Sequence, residues 1–208
     1  MRFDKFLEHI HPAKISEDRI RISSTFCLGG AAFFLFITLG VTGLLLAIYY
    51  LPSAEGAKMG LHDLTYVIPF GWLIRSLHFW AGQLLLVAML LHTMRVVAAR
   101  AYLPPRQGNW LIGVALLLIA GGLDFSGYVL RWDSQTFWAA QVMSQLLDRV
   151  PLFGHELQQI LLGGPQINES GLLRFYVFHC LFGPILCLSL IMYHFWRVRR
   201  DGNFGKSL

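Results

Sequence analysis

Charge is what this chain has least of. Asp, Glu, Lys and Arg make up 14% of its 208 residues, while 55% are hydrophobic, too apolar a balance for an ordinary soluble domain of this length. Cysteine is also scarce. Cys27, Cys180 and Cys187 form no CxxC or CxxCH pattern, which argues against a zinc knuckle, a typical c-type haem box and a disulfide framework. Repeats and low-complexity tracts are absent. The first twenty residues are polar and charged, so a short cleavable signal is not expected.

What the chain has instead is long apolar runs. Phe26 to Leu51, Leu77 to Ala99, Trp110 to Leu130 and Phe175 to Trp196 each reach about 20 residues, enough for a helix to cross about 30 Å of hydrocarbon. With these runs designated A to D, the expected fold is all-α: an integral membrane four-helix bundle over residues 23–208, preceded by a surface segment over 1–22. That segment mixes apolar and charged positions at helical spacing, is broken by Pro12, and suits the cytoplasmic membrane surface. Residues 52–74 read as the A–B loop and "YLPPRQGNW" as a tight B–C turn. The C–D connection, about 132–174, is the one long polar excursion. Within it, "DSQTFWAAQVMSQLLD" and "GHELQQILL" have the pattern of short amphipathic helices.

Twelve of the seventeen basic residues lie in the N-terminal segment, the B–C turn and the C-terminal tail. The positive-inside rule then puts both termini and that turn on the cytoplasmic, negative side. The same asymmetry accounts for the net charge of +5 without a nucleic-acid partner.

Run B, "RSLHFWAGQLLLVAMLLHTMR", carries an imidazole near each end, His78 and His92, 14 residues apart. On an α-helix that is about 21 Å, with both on nearly one face. Run D carries His179 and His194, 15 apart. B and D run in the same direction, so His78 meets His179 at one depth and His92 meets His194 at another. Two facing imidazoles at each of two depths suit two bis-histidine haems stacked across the membrane. His9, His11, His62 and His155 fall outside the runs and are expected in loops. Gly29 and Gly43 on A, and Gly113 and Gly127 on C, repeat the interval of 14. Glycine lets a flat macrocycle approach the backbone, although small residues also serve helix packing in membranes. Arg75, Arg95 and Arg199 flank the histidines, equally placed to pair with haem propionates or to snorkel. A non-redox alternative is a channel or scaffold whose intramembrane histidines carry protons.

These features together resemble cytochrome b of the quinol-oxidising bc and b6f complexes. The resemblance runs from about residue 15 to the end, through "GWLIRSLHFW…LLHTMRV", "SGYVLRWDSQTFWA", "VPLFGHELQQILLGG" and "LLRFYVFHCLFGPILCLSLIMYHFWRVRR". Within the family the chain looks like the shorter b6 type, with four helices and fourteen residues between the run D histidines. The b6 resemblance implies a third haem, joined by a single thioether bond through Cys27 of "FCLGG". Cys180 and Cys187 match no such position and read as packing residues.

The resemblance also implies a mechanism. A membrane quinol is oxidised at an outer site near Phe125, Tyr128, Trp132, Phe137, Trp138 and Ala139. One electron goes to a Rieske-type iron–sulfur protein and on to a c- or f-type cytochrome. The other passes from the outer haem (His78, His179) to the inner haem (His92, His194) and reduces quinone near the negative side, with proton translocation. Family complexes are dimers in respiratory or photosynthetic membranes. Two departures stand out. The family's "LPW" is Leu130, Arg131 and Trp132 here, an arginine with Asp133 or a partner subunit in reach. The family's "PEWY" stretch is absent and would come from a separate subunit. A di-haem membrane anchor for another oxidoreductase is the alternative; it would share the four helices but not the C–D loop pattern.

Overall fold

The computed structural model describes residues 27–164 and 166–201. The expected surface segment over 1–22 lies outside them, as do His9 and His11. Among the described residues there is no strand. The helices are α1 Leu28–Ala47, α2 Ala54–Tyr66, α3 Gly71–Ala98, α4 Gln107–Val129, α5 Ser134–Asp148, α6 Gly154–Leu162, α7 Glu169–Val177 and α8 Gly183–Asp201, with a π-helical turn over Phe178–Phe182 joining α7 to α8.

Runs A to D become α1, α3, α4 and the continuous α7–α8 rod. All four are long and apolar enough to cross a membrane. Most of their large side chains, such as Phe34, Leu84, Leu118 and Ile185, face outward; in lipid an apolar exterior costs nothing, and the helical backbone satisfies its own hydrogen bonds. α1 packs on α3, α3 on α4, and α4 on α8. α5 and α6 fall where the two amphipathic stretches are expected. Asp133 caps α5 in a reciprocal capping box with Thr136. Burial works against the Asp133 charge. The Thr136 amide and the Arg131 guanidinium nevertheless hold its carboxyl below the usual carboxylate range.

Three boundaries differ from expectation. The A–B connection is not a loop throughout, because α2 occupies most of it. Ser53 caps this helix by accepting from the Gly56 N–H at 3.1 Å. Gly60 lets it press on the preceding corner, where a Cβ would sit 2.5 Å from the Tyr49 carbonyl oxygen. α3 starts six residues early, at Gly71, and the fourth span starts at Glu169, with the Asn168 side chain accepting from the Gly171 N–H. His62 and His155 therefore sit on short helices rather than loops, and both are exposed.

The bundle end that carries α2, α5 and α6 is tied together by Tyr50. Its hydroxyl donates to the Leu130 carbonyl at 2.7 Å, and its ring stacks on Tyr176 at 5.5 Å. Burial pushes the Tyr50 pKa up, which keeps it a donor. Tyr50 belongs to one buried cluster with Ala57 and Leu172, and Val129, Ala140, Leu162 and Ile167 form a second. Tyr50→Phe should therefore lower stability by about 1 kcal/mol, the net worth of one hydrogen bond. Thermal unfolding in detergent checks this, with exposed Tyr49→Phe as the near-silent control.

Candidate functional site

The four spanning helices enclose a cavity of about 1390 Å³, larger than the 300–1,000 Å³ or so of a pocket for one drug-sized ligand. Its lining includes His78 and His92 from α3 and His179 and His194 from the fourth span. The rings of His78 and His179 face each other with centroids 6.1 Å apart and planes at 70°. Two imidazoles that each bind one metal through a nitrogen at about 2 Å have centroids about 6 Å apart. His92 and His194 are likewise near enough to interact electrostatically.

The interval of 15 on the fourth span needs explaining. At about 100° per residue, 14 residues end about 40° short of whole turns and 15 end about 60° beyond. A regular helix would thus turn His194 away from the face that His92 occupies relative to His78. The π-helical turn Phe178–Phe182 contains His179, and such a turn absorbs one extra residue, often at a functional site. It brings the second pair of histidines back into register with the first.

Neighbouring helices decide which ring nitrogen is available. His179 Nδ1 lies 2.9 Å from the Leu123 carbonyl oxygen, which can only accept, so Nδ1 carries the proton. Ser126 Oγ lies 3.1 Å from the same nitrogen. His78 Nδ1 lies 2.9 Å from Thr42 Oγ1, whose own hydrogen goes to the Thr38 carbonyl at 2.7 Å. Both imidazoles are therefore held as Nδ1–H tautomers with an Nε2 lone pair to offer, the arrangement in which outer partners orient a metal-binding histidine.

The glycines sort to the same two levels. A Cβ on Gly43 would stand 3.1 Å from His78 Cε1, on Gly127 2.6 Å from His179 Cε1, on Gly29 3.4 Å from His92 Cε1, and on Gly113 3.6 Å from His194 Cε1. Gly43 and Gly127 thus make room for an imidazole, while a Cβ at Gly29 or Gly113 would only touch one. Among the described residues, no group of three or more His, Cys, Asp or Glu could hold a bare metal ion. Paired imidazoles fit a different case, a metal whose remaining positions are filled by a macrocycle.

Cys27, Arg75, Arg95, Phe125 and Tyr128 also line the cavity. Cys27 is the exposed N-cap of α1, and Arg75 Nη1 donates to Thr65 Oγ1 at 2.7 Å. Arg199 is exposed and away from the lining; Arg197 and Arg106 line it instead. Trp132, Phe137, Trp138 and Ala139 lie outside the lining. Trp132 and Phe137 pack edge to face on each other and against the Val129–Ala140 cluster, Trp138 is exposed and Ala139 is half-buried. Arg131 pairs with Asp133 and lies over the Tyr128 ring, 5.4 Å from its centroid. Sequence reasoning passed over Tyr50, Arg106, Arg197, and a hydrogen bond inside the bundle from Gln83 Nε2 to Asp124 Oδ1 at 3.0 Å. Only Asp124 left a sequence signal, as the one acidic residue in an apolar run.

Residues 15–202 match the family described as cytochrome b/b6/petB. The chain is 35% identical over 199 residues to the menaquinol:cytochrome c reductase cytochrome b subunit of Geobacillus thermodenitrificans, covering 95% of this chain and 87% of that one. It is 35% identical over 177 residues to cytochrome b6 of Heliobacterium mobile, covering 85% and 83%. In fold it is similar to a chain of a hyperthermophilic respiratory Complex III, with a TM-score of 0.78 at 24% identity. The match covers 95% of this chain and 55% of that one, so this chain spans about half the length of the solved one.

The glycine contacts lead to a paired test. Gly127→Ala forces its methyl against His179 and should cost about 1–3 kcal/mol. Gly121→Ala, with nothing within 4 Å on the same helix, should be neutral or stabilise by up to about 1 kcal/mol. The difference between the two thermal midpoints is the check.

Proposed function

This chain belongs to the cytochrome b/b6 family, and on that premise we propose that it is the haem-bearing electron-transfer subunit of a quinol-oxidising complex of the bc or b6f type. It is a multi-pass protein with four membrane-spanning helices, and its family binds haem b. The observation that carries the assignment is the pair of histidine levels inside one cavity. His78 and His179 would hold one haem b, and His92 and His194 a second. When bound, these groups supply reversible one-electron chemistry and an electron path between the levels.

The chain's own residues set the conditions for that chemistry. Thr42 and Leu123 hold the Nδ1 protons of His78 and His179, so the Nε2 lone pairs face the cavity. Gly43 and Gly127 keep room for the first pair of imidazoles, and Gly29 and Gly113 adjoin the second. Arg75 at one end, and Arg95 and Arg106 at the other, put guanidinium groups on the cavity wall, suited to propionate carboxylates, whereas Arg197 there is already paired with Asp201. The exposed Arg199 better fits snorkelling to the interface.

Quinol would bind outside the His78/His179 level, against Phe125 and Tyr128, with Trp132, Phe137, Trp138 and Ala139 forming the apolar wall beyond. Arg131, anchored to Asp133, stands at that rim. A separate subunit bearing the family's PEWY stretch would complete the site. A Rieske-type iron–sulfur protein takes one electron for a c- or f-type cytochrome. The other electron crosses to a quinone site near the His92/His194 level, with proton translocation. The assembly would be a homodimer in a respiratory or photosynthetic energy-transducing membrane, with both termini and the α3–α4 turn on the negative side. Cys27, exposed at the lining beside the inner level, would carry a third haem through one thioether bond.

The test is a reduced-minus-oxidised optical spectrum of the purified protein, repeated on the polypeptide after acid–acetone extraction. We expect two extractable b-type haems plus residual bound haem. His179→Leu should remove one b haem and Cys27→Ala only the bound one. Extractable haem with none left on the chain would remove the Cys27 assignment. No haem at all would overturn the electron-transfer function.

A further inference from the structure

Asp124 is the only charged residue between Gln107 and Val129, in the apolar stretch "LLLIAGGLDFSGYVL". Its side chain lines the cavity beside Gly82 and Gln83 of α3. The Gln83 amide donates to its Oδ1 at 3.0 Å, and a Cβ on Gly82 would stand 3.6 Å from the same oxygen. No Lys, Arg or His forms an ion pair with it among the described residues. Such a group in the bilayer is costly, and by default it has a job beyond packing.

Its depth can be read on two helices independently. On α3, the adjoining Gly82 lies four residues, about 6 Å, from His78 and ten, about 15 Å, from His92. On α4, Asp124 lies three residues, about 5 Å, from Gly127, which faces His179, and eleven, about 16 Å, from Gly113, which faces His194. Both helices put the carboxyl between the two levels and much nearer the His78/His179 level. It is close enough to His179 to act on that ring electrostatically.

A negative charge stabilises the oxidised, more positive form of a redox centre, and its effect falls with distance. We propose that Asp124, oriented by Gln83, lowers the reduction potential of the His78/His179 haem site well below that of the His92/His194 site. It thereby makes the single-electron step from the first to the second downhill. One electron leaves the first site as the second gains it, and no atom is transferred. This rests on the haem assignment above.

The experiment is a potentiometric titration of the purified complex, followed optically, with Asp124→Asn. Asn keeps an acceptor for Gln83 and removes only the charge; Asp124→Ser replaces it if the Asn variant does not load haem. The bands are assigned with His179→Leu. The expected result is a rise at the His78/His179 site alone that cuts the equilibrium constant of the inward step about tenfold, about 59 mV for one electron, with Asp124→Glu restoring it. Unmoved midpoints, or equal shifts at both sites, would overturn the proposal and leave an interhelical hydrogen bond. Wild-type protein without haem would instead overturn the assignment on which it rests.

Discussion

The structure depends on holding imidazoles opposite each other inside an apolar bundle. The His78 and His179 rings stand 6.1 Å apart at 70°, in a medium with no bulk water to satisfy either nitrogen. One nitrogen of each must be bonded to protein, or its burial is costly. Thr42 on α1 and Leu123 on α4 meet that need. Each ligand-bearing helix thus leans on a neighbour that bears no ligand. The glycines follow from the same constraint. An imidazole pinned by its Nδ1 leaves its Cε1 edge against the adjoining helix, and at Gly43 and Gly127 a Cβ would crowd it.

Much of this could be read from the sequence, for physical reasons that also mark where the reading ends. Long apolar runs identify spans because a bilayer imposes length and hydrophobicity together. The intervals between histidines give depth because helical rise is regular. α5 and α6 were visible through their polar–apolar periodicity. α2 was not. "AEGAKMGLHDLTY" carries two glycines, which weaken a helix, and its helix depends on the Ser53 cap and on contact with the Tyr49–Tyr50 corner. Tertiary packing of that kind leaves no local trace. The π-helical turn left only an indirect one, the mismatch of 14 and 15 between the two histidine intervals. Arg197 and Arg199 are equally basic in sequence. The rotational phase at the end of α8 decides that Arg197 reaches the cavity, and one residue of helical phase is beyond pattern reading.

The polar atoms inside the bundle divide by role. Ser126, Thr42 and the Leu123 carbonyl fix tautomers. Tyr50 closes one end. Arg75, Arg95 and Arg106 put positive charge at the two ends of the cavity, where Arg197 is paired with Asp201, while Asp124 puts negative charge between them. A cavity with cationic ends and an anionic waist suits two flat groups whose carboxylates point outward to either end, and it treats the two levels unequally. The departure at Arg131 belongs to the same economy of charge. Tied to Asp133 and laid over Tyr128, its charge stays at the rim.

The central claim is that four named histidines hold two haems, two ligands each. Electron paramagnetic resonance of the oxidised protein tests this most directly. Two distinct low-spin ferric signals of the bis-imidazole type, one of them lost in His179→Leu and the other in His92→Leu, are the predicted result. High-spin iron in the unaltered protein, or one variant removing neither signal, would contradict the account.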